Sequence, residues 1–144
     1  MEKNKVRETL MALEYLRKKF LQPRFLSLGL TLGQGQPRIL RTLKANGSMT
    51  QRELADLCHL DVTTMSRTLD RLEENGLIYR SRPPQSRRAY LIRLTQEGEE
   101  KAEKVIEYFQ ELDDVLCCGL SQDDLNRLYG DLSRLLDNLK AQDL

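Results

Sequence analysis

The chain has no tryptophan, one histidine and three cysteines in 144 residues, and each scarcity removes a class of chemistry. A lone histidine, His59, builds neither a multi-histidine metal centre nor a histidine relay, and reads as a surface or capping residue. Cys58, Cys117 and Cys118 are odd in number and lack metal-ligand spacing, which fits a reducing cytoplasm better than a disulfide scaffold. No apolar run approaches the ~18 residues of a membrane span. The opening MEKNKVRETLMALEYL lacks the long apolar centre and small-residue cleavage site of a signal peptide. There is no glycine-rich phosphate loop, no G-x-S-x-G elbow and no H-E-x-x-H helix. Catalysis, a metal site, a cofactor and a membrane partner are therefore not expected, and the expected location is the cytoplasm.

What is present fits one small subunit. Hydrophobic residues make up 40% of the chain and charged residues 31%, enough apolar material for a core within a single domain. The net charge of +1 conceals an uneven distribution. Residues 1–61 carry 11 basic and 6 acidic groups. Residues 62–94 carry 7 basic groups, all arginine, and 3 acidic ones, whereas residues 95–144 carry 5 and 13. A basic centre followed by an acidic tail is what phosphate neutralisation by the centre requires. The acidic cluster QEGEEKAEK sits at an expected helix start, where carboxylates complement the positive dipole end.

The basic centre carries the strongest local pattern. Thr50 and Glu53 have capping-box spacing at the start of a helix whose apolar stripe is Leu54 and Leu57, with Ala55 beside it. Cys58, His59 and Leu60 make a turn, and Asp61 is a natural N-cap for a second helix running from about Val62 to Asn75. There Val62, Met65, Leu69 and Leu72 fall on one side, facing the core. The other side offers Thr63, Thr64, Ser66, Arg67 and Arg71, small hydroxyls and arginines that approach phosphates and base edges closely. Gly76 ends this helix, Leu77 to Tyr79 begin a strand, and Ala89, Leu91 and Leu94 suit the returning one. Between the strands SRPPQSRR supplies Arg82, Arg87 and Arg88 on a loop kept extended by two prolines. Two helices, a turn and an arginine-rich hairpin describe a winged helix-turn-helix, whose second helix fits the major groove of double-stranded DNA.

The alternatives at these positions are specific. Thr63, Thr64, Ser66 and Arg67 also suit an ordinary helix surface with N-terminal capping, and Arg67 suits either a guanine edge or a phosphate. Asp70 and Glu74 lie within pairing distance of Arg71 along the helix, and Arg82 suits support of its strand. Arg87 and Arg88 suit either DNA contact or solvation. Thr50 and Gln51 stand at a helix N-terminus, whose free amides suit a phosphate, beside the capping role of Thr50.

The segments TQRELA, DVTTMSRTLDRLEENGLIYR and RRAYLIRLTQEG resemble the MarR family of bacterial transcription regulators, dimeric winged-helix proteins that often respond to small molecules. The resemblance extends weakly over the whole chain. It departs at the wing, where the family's D-x-R has Ser86 and Arg88 here, removing an acceptor that would orient the arginine. It also departs in LTLGQGQPRIL, whose glycines delay a helix until about Pro37. The implied fold is mainly α with a small β-wing, in which a winged helix-turn-helix lobe is flanked by N- and C-terminal dimerisation helices. The implied organisation is one subunit over 1–144. Dimerisation helices occupy 1–30 and 118–144, the winged helix-turn-helix occupies 36–94, and a long connecting helix occupies 95–117. A small-molecule effector would sit between the dimerisation helices and the lobe, with Tyr15, Phe20, Phe25 and Leu28 as candidate lining or, equally, as core.

The flanks fit this plan. Leu10 and Leu13 share a helical side near the N-terminus with Val6 and Phe20. Thr95 caps a long helix carrying Ala102, Val105, Ile106, Phe109 and Leu112. Ser121 and Asp124 open a last helix, in which Leu125, Leu128, Leu132, Leu135 and Leu139 make a seam two heptads long. That seam serves a homodimer or packs within its own subunit. The functional expectation is a ligand-responsive repressor on a pseudo-palindromic operator. Its rivals are an oxidant-sensing repressor acting through cysteine and a winged-helix module that binds protein.

Overall fold

Four helix starts, at Thr50, Asp61, Thr95 and Ser121, are set by side-chain caps, and the remainder of the fold follows from which faces the helices bury. The computed structural model describes residues 1–31, 35–82 and 90–144. In chain order the elements are α1 (Lys3–Ser27), α2 (Gln36–Asn46), β1 (Met49–Thr50), α3 (Gln51–Cys58), α4 (Val62–Glu74), β2 (Ile78–Ser81), β3 (Leu91–Leu94), α5 (Gln96–Leu116) and α6 (Gln122–Lys140). The fold is mainly helical, with a three-stranded antiparallel sheet ordered β1-β3-β2. Its register pairs Met49 with Ile92 on one edge and Arg80 with Ile92 on the other.

The chain forms two compact units, Met1–Leu112 and Asp113–Leu144. The first holds the hydrophobic core. Leu21 and Phe25 from α1 join Ile39 and Leu40 from α2, Leu54 from α3 and Met65, Leu69 and Leu72 from α4, all fully buried. Ile78, Ile92, Ala102 and Val105 continue this core into the sheet and α5. Phe25 meets Tyr108 and Phe109 edge to face, at ring separations of 6.2 and 5.3 Å. Each large side chain taken fully out of water contributes about 1.5–3 kcal/mol.

Three features are not read from the pattern alone. First, α1 continues through Pro23 for another turn. Proline removes the amide that would bond the Lys19 carbonyl, and one residue on, Arg24 Nη1 donates to the Phe20 carbonyl at 2.7 Å. Second, Val62, expected on the core side, is 73% exposed, while Thr68 is buried. As the first residue of α4, Val62 projects beyond the helix's contact with the lobe, and Thr68 satisfies its hydroxyl by donating to the Thr64 carbonyl at 2.8 Å. Third, the two residues of β1 form a third strand, too short for any alternation to signal it.

The wing returns into α5 through a tight joint. Thr95 Oγ1 donates to the Gly76 carbonyl at 2.6 Å and accepts from the Gly98 amide at 3.0 Å, while the Thr95 amide donates to the Leu77 carbonyl. One residue therefore caps α5 and holds it against the C-terminal turn of α4. Gly98 is buried there, with no room for a larger side chain.

In the second unit, α6 starts at a reciprocal capping box. The Asp124 amide donates to Ser121 Oγ, and the Ser121 amide donates to the Asp124 carboxylate. That backbone hydrogen bond holds the Asp124 carboxyl below the usual aspartate range. No residue of α6 is buried. Among the described residues, no helix is long and apolar enough to cross a membrane.

Candidate nucleic-acid interface

The turn between α3 and α4 aims the second helix. Thr50 and Glu53 form the expected capping box, at 3.2 Å from the Glu53 amide to Thr50 Oγ1 and 3.4 Å in return. At the other end, α3 stops because His59 takes a left-handed conformation, φ 54°. Among the described residues it is the only non-glycine to do so, a conformation costing roughly 1 kcal/mol outside glycine. Two contacts from α2 brace the turn. Arg38 Nη1 donates to the Cys58 carbonyl at 3.3 Å, and buried Cys58 Sγ lies 3.6 Å from Thr42 Oγ1. Burial pushes the Cys58 thiol up, away from the reactive thiolate.

Asp61 then caps α4. Its carboxylate accepts from the Thr64 amide and from the Thr64 hydroxyl, both at 2.8 Å. The Thr64 backbone hydrogen bond, with the side-chain bond second, holds the Asp61 carboxyl below the usual range. Of the residues expected on the groove side, Thr63, Arg67 and Arg71 are exposed, Ser66 and Thr64 are half-buried, and the Thr64 hydroxyl is already engaged by its own cap. Arg67 makes no ion pair with another described residue. Thr50 and Gln51 are half-buried at the start of α3, with the Thr50 side chain committed to the cap. Arg82 leaves the end of β2 exposed, 4.6 Å over the Tyr90 ring, with Nη2 donating to Tyr90 Oη at 3.1 Å. Arg87 and Arg88 lie outside the described residues.

The structure adds one arginine that the sequence pattern does not single out. Arg80 on β2 reaches back to α4, Nη1 donating to Glu73 Oε1 at 3.0 Å and Nη2 to Asp70 Oδ1 at 3.1 Å. Asp70, read from spacing as a neighbour for Arg71, thus pairs across to the wing. No helical or strand periodicity reports that pairing, because it depends on how the hairpin lies on the helix.

This arrangement of helix, left-handed turn, capped helix and antiparallel hairpin matches known proteins. A model of the MarR family matches residues 32–90. The HTH-type transcriptional regulator FarR of Neisseria gonorrhoeae is 30% identical over 109 residues, 74% of this chain and 75% of FarR. The chain belongs to the MarR family. The uncharacterised HTH-type transcriptional regulator YwoH of Bacillus subtilis is 38% identical over 74 residues, 51% of this chain. The match spans about half of YwoH, 53% of its length. Over nearly the full chain, the crystal structure of the transcriptional regulator SlyA is similar, with a TM-score of 0.81 and 29% identity, covering 93% of this chain and 92% of that one. These relatives are named as transcriptional regulators.

In this MarR-family chain, the four candidate effector residues differ in burial. Phe25 is in the core, Tyr15 is 63% exposed, Leu28 is half-buried, and Phe20 is half-buried under the Arg24 guanidinium. None of them lines the cavity of about 350 Å3 that opens beside the turn. Its wall comes from Glu14, Arg17 and Lys18 on α1, Pro37 and Arg38 on α2, the turn residues Cys58 to Leu60, and Phe109. Arg17 grips Glu14 with two hydrogen bonds of 2.8 Å, which hold the Glu14 carboxyl below its ordinary range. Sequence reasoning missed this group because it assembles from three helices and a turn. The candidate dimer residues Leu10 and Leu13 are 41% and 44% exposed, and Leu128, Leu132, Leu135 and Leu139 range from 40% to 63%. Leu125 is half-buried.

Proposed function

We propose that the protein is a transcriptional regulator that binds double-stranded DNA as a homodimer in the cytoplasm, with α4 in the major groove and the wing against the backbone. The observation that carries this reading is the exposed side of α4. A capped helix presents Thr63 and Arg67 to solvent with Ser66 half-buried between them, Arg67 making no ion pair among the described residues, within a 33-residue segment whose seven basic groups are all arginine. Small hydroxyls permit close approach and arginine supplies charge and base-edge donors. The regulator names of the MarR-family relatives support the same reading.

The exposed leucine rows of α1 and α6 support the homodimer. Exposed apolar stripes mark interaction surfaces, and a two-fold homodimer is the commonest way for a soluble chain to cover one. Two recognition helices about 34–36 Å apart would read a pseudo-palindromic operator, and occupancy of a promoter by such a dimer blocks polymerase. The cavity supports response to a small molecule. Three cations, Arg17, Lys18 and Arg38, face one carboxylate, Glu14, which favours an organic anion. Arg38 also braces the turn before α4, so a ligand drawing on it would shift the recognition helix.

Oxidant sensing is less favoured, because the cysteine nearest α4 is buried with its thiol pushed up. Protein binding by the wing is less favoured because it leaves the arginine excess without a partner. Titration of a random-sequence duplex pool at rising salt separates these readings. Binding through several phosphates gives a linear fall of log K with log salt, about 0.9 per phosphate. A folded protein that binds no duplex at low salt would sink the DNA reading.

A further inference from the structure

We infer that Arg80 is a positioning residue for DNA binding, fastening the wing to the flank of the recognition helix through Asp70 and Glu73 and not contacting phosphate itself. The inference rests on the DNA-binding reading above. Its basis is the register of the sheet. Arg80 lies opposite buried Ile92 and two residues from buried Ile78, so its side chain leaves the sheet on the face turned to the lobe. Tyr79 and Arg93, paired on the other face, are exposed. The Arg80 side chain is only 22% accessible, and its two terminal nitrogens are each spent on a different carboxylate of α4.

Two consequences follow for the interface. The planar guanidinium joins two carboxylates one helical turn apart, fixing the angle between β2 and α4 more firmly than a flexible single pair would. The same contact cancels charge where it would do harm. Asp70 and Glu73 are two of the three acidic groups among residues 62–94. Asp70 stands one turn from Arg67 on the same helix, with its carboxylate 59% accessible. Left uncompensated, these carboxylates would repel the backbone that Arg67 and Arg71 approach. Arg80 therefore serves the interface from behind, while Arg67 serves it from the front.

The test is a cycle of purified full-length variants: Arg80→Met, which keeps side-chain length without charge, the pair Asp70→Asn/Glu73→Gln, and all three changes together. Hydrogen exchange of the free protein comes first and needs no DNA. Arg80→Met should accelerate exchange in β2 and the last turns of α4, and should do so much less once the carboxylates are gone. Unchanged exchange would overturn the fastening role, even if the protein proved not to bind DNA. Affinity for a duplex recovered from a random pool comes second. Arg80→Met should weaken binding roughly fivefold to tenfold in the native background, with the salt slope unchanged. In the Asp70→Asn/Glu73→Gln background the loss should be under about twofold. An equal loss in both backgrounds, with the salt slope falling by about 0.9, would make Arg80 a phosphate contact and overturn the inference. Wild-type protein that binds no duplex would count against the DNA reading alone, leaving the exchange result to decide whether Arg80 fastens the wing.

Discussion

Replacing Gly98 by alanine should destabilise the protein, although alanine is the better helix former. Gly98 lies in the first turn of α5, where the wing returns to the lobe. A Cβ there would stand 1.9 Å from the Leu77 carbonyl oxygen, 2.9 Å from its carbon and 3.3 Å from Leu94 Cδ2. The nearest obstacle is backbone, so no rotamer change relieves it. Opening the gap to 3.0 Å, the shortest approach that real Cβ atoms make, moves α5 or the Gly76–Leu77 segment by roughly 1 Å. Overpacking of this kind costs about 1–3 kcal/mol. The same movement strains the two hydrogen bonds of Thr95 Oγ1, each contributing about 0.5–1.5 kcal/mol. Against this stands about 1 kcal/mol of helix propensity. The net loss is about 1–5 kcal/mol, or a melting point lower by roughly 3–20 °C. The control is Gly130→Ala in α6, where an added Cβ meets nothing within 4 Å and should stabilise by up to about 1 kcal/mol. Urea unfolding followed by circular dichroism, at one fixed protein concentration, measures both. A Gly98→Ala protein as stable as wild type would refute the packing argument.

Further substitutions test other joints. Arg67→Ala should cost about 1–3 kcal/mol of operator binding and relax base preference at one position if it reads a base edge, as measured by titration against single-base variants of the site. Leu132→Asp should dissociate the proposed dimer, because it would set a charge in the proposed apolar seam, whose leucines gain about 1.5–3 kcal/mol each when fully buried. A variant that still sediments as a dimer removes α6 from the subunit contact. Asp61 contributes stability as a charged cap. Because its folded pKa lies below the ordinary value, that contribution is complete above the usual aspartate range and is lost as pH falls through the folded pKa. The stability advantage of wild type over Asp61→Asn should therefore shrink from neutral pH to about pH 3, and an advantage independent of pH would contradict the charged cap.

Much of the fold was legible because its signals are local. Thr50 with Glu53, Asp61 and Ser121 with Asp124 sit at helix starts where the polar group and the amide it serves are three residues apart. Gly76 and Pro37 mark a helix end and a helix start for reasons of backbone conformation alone. What escaped needed tertiary packing. Strand β1 exists only because β3 lies beside it. Leu21 and Phe25 are buried while Leu10 and Leu13, on the same helix, remain exposed, a division that periodicity does not draw. Arg80 and the cations around the cavity look like other arginines and lysines until the hairpin and three helices bring them to their partners.

The most direct test of DNA recognition by α4 is selection of bound sequences from a random duplex pool, using purified wild-type protein and Arg67→Ala side by side at moderate salt. Recognition by paired α4 helices predicts an enriched inverted repeat with half-site centres about 10–10.5 base pairs apart, and degeneracy at one position of each half-site for Arg67→Ala. A folded, dimeric wild-type protein that enriches no sequence, or a motif without two-fold symmetry, would contradict it.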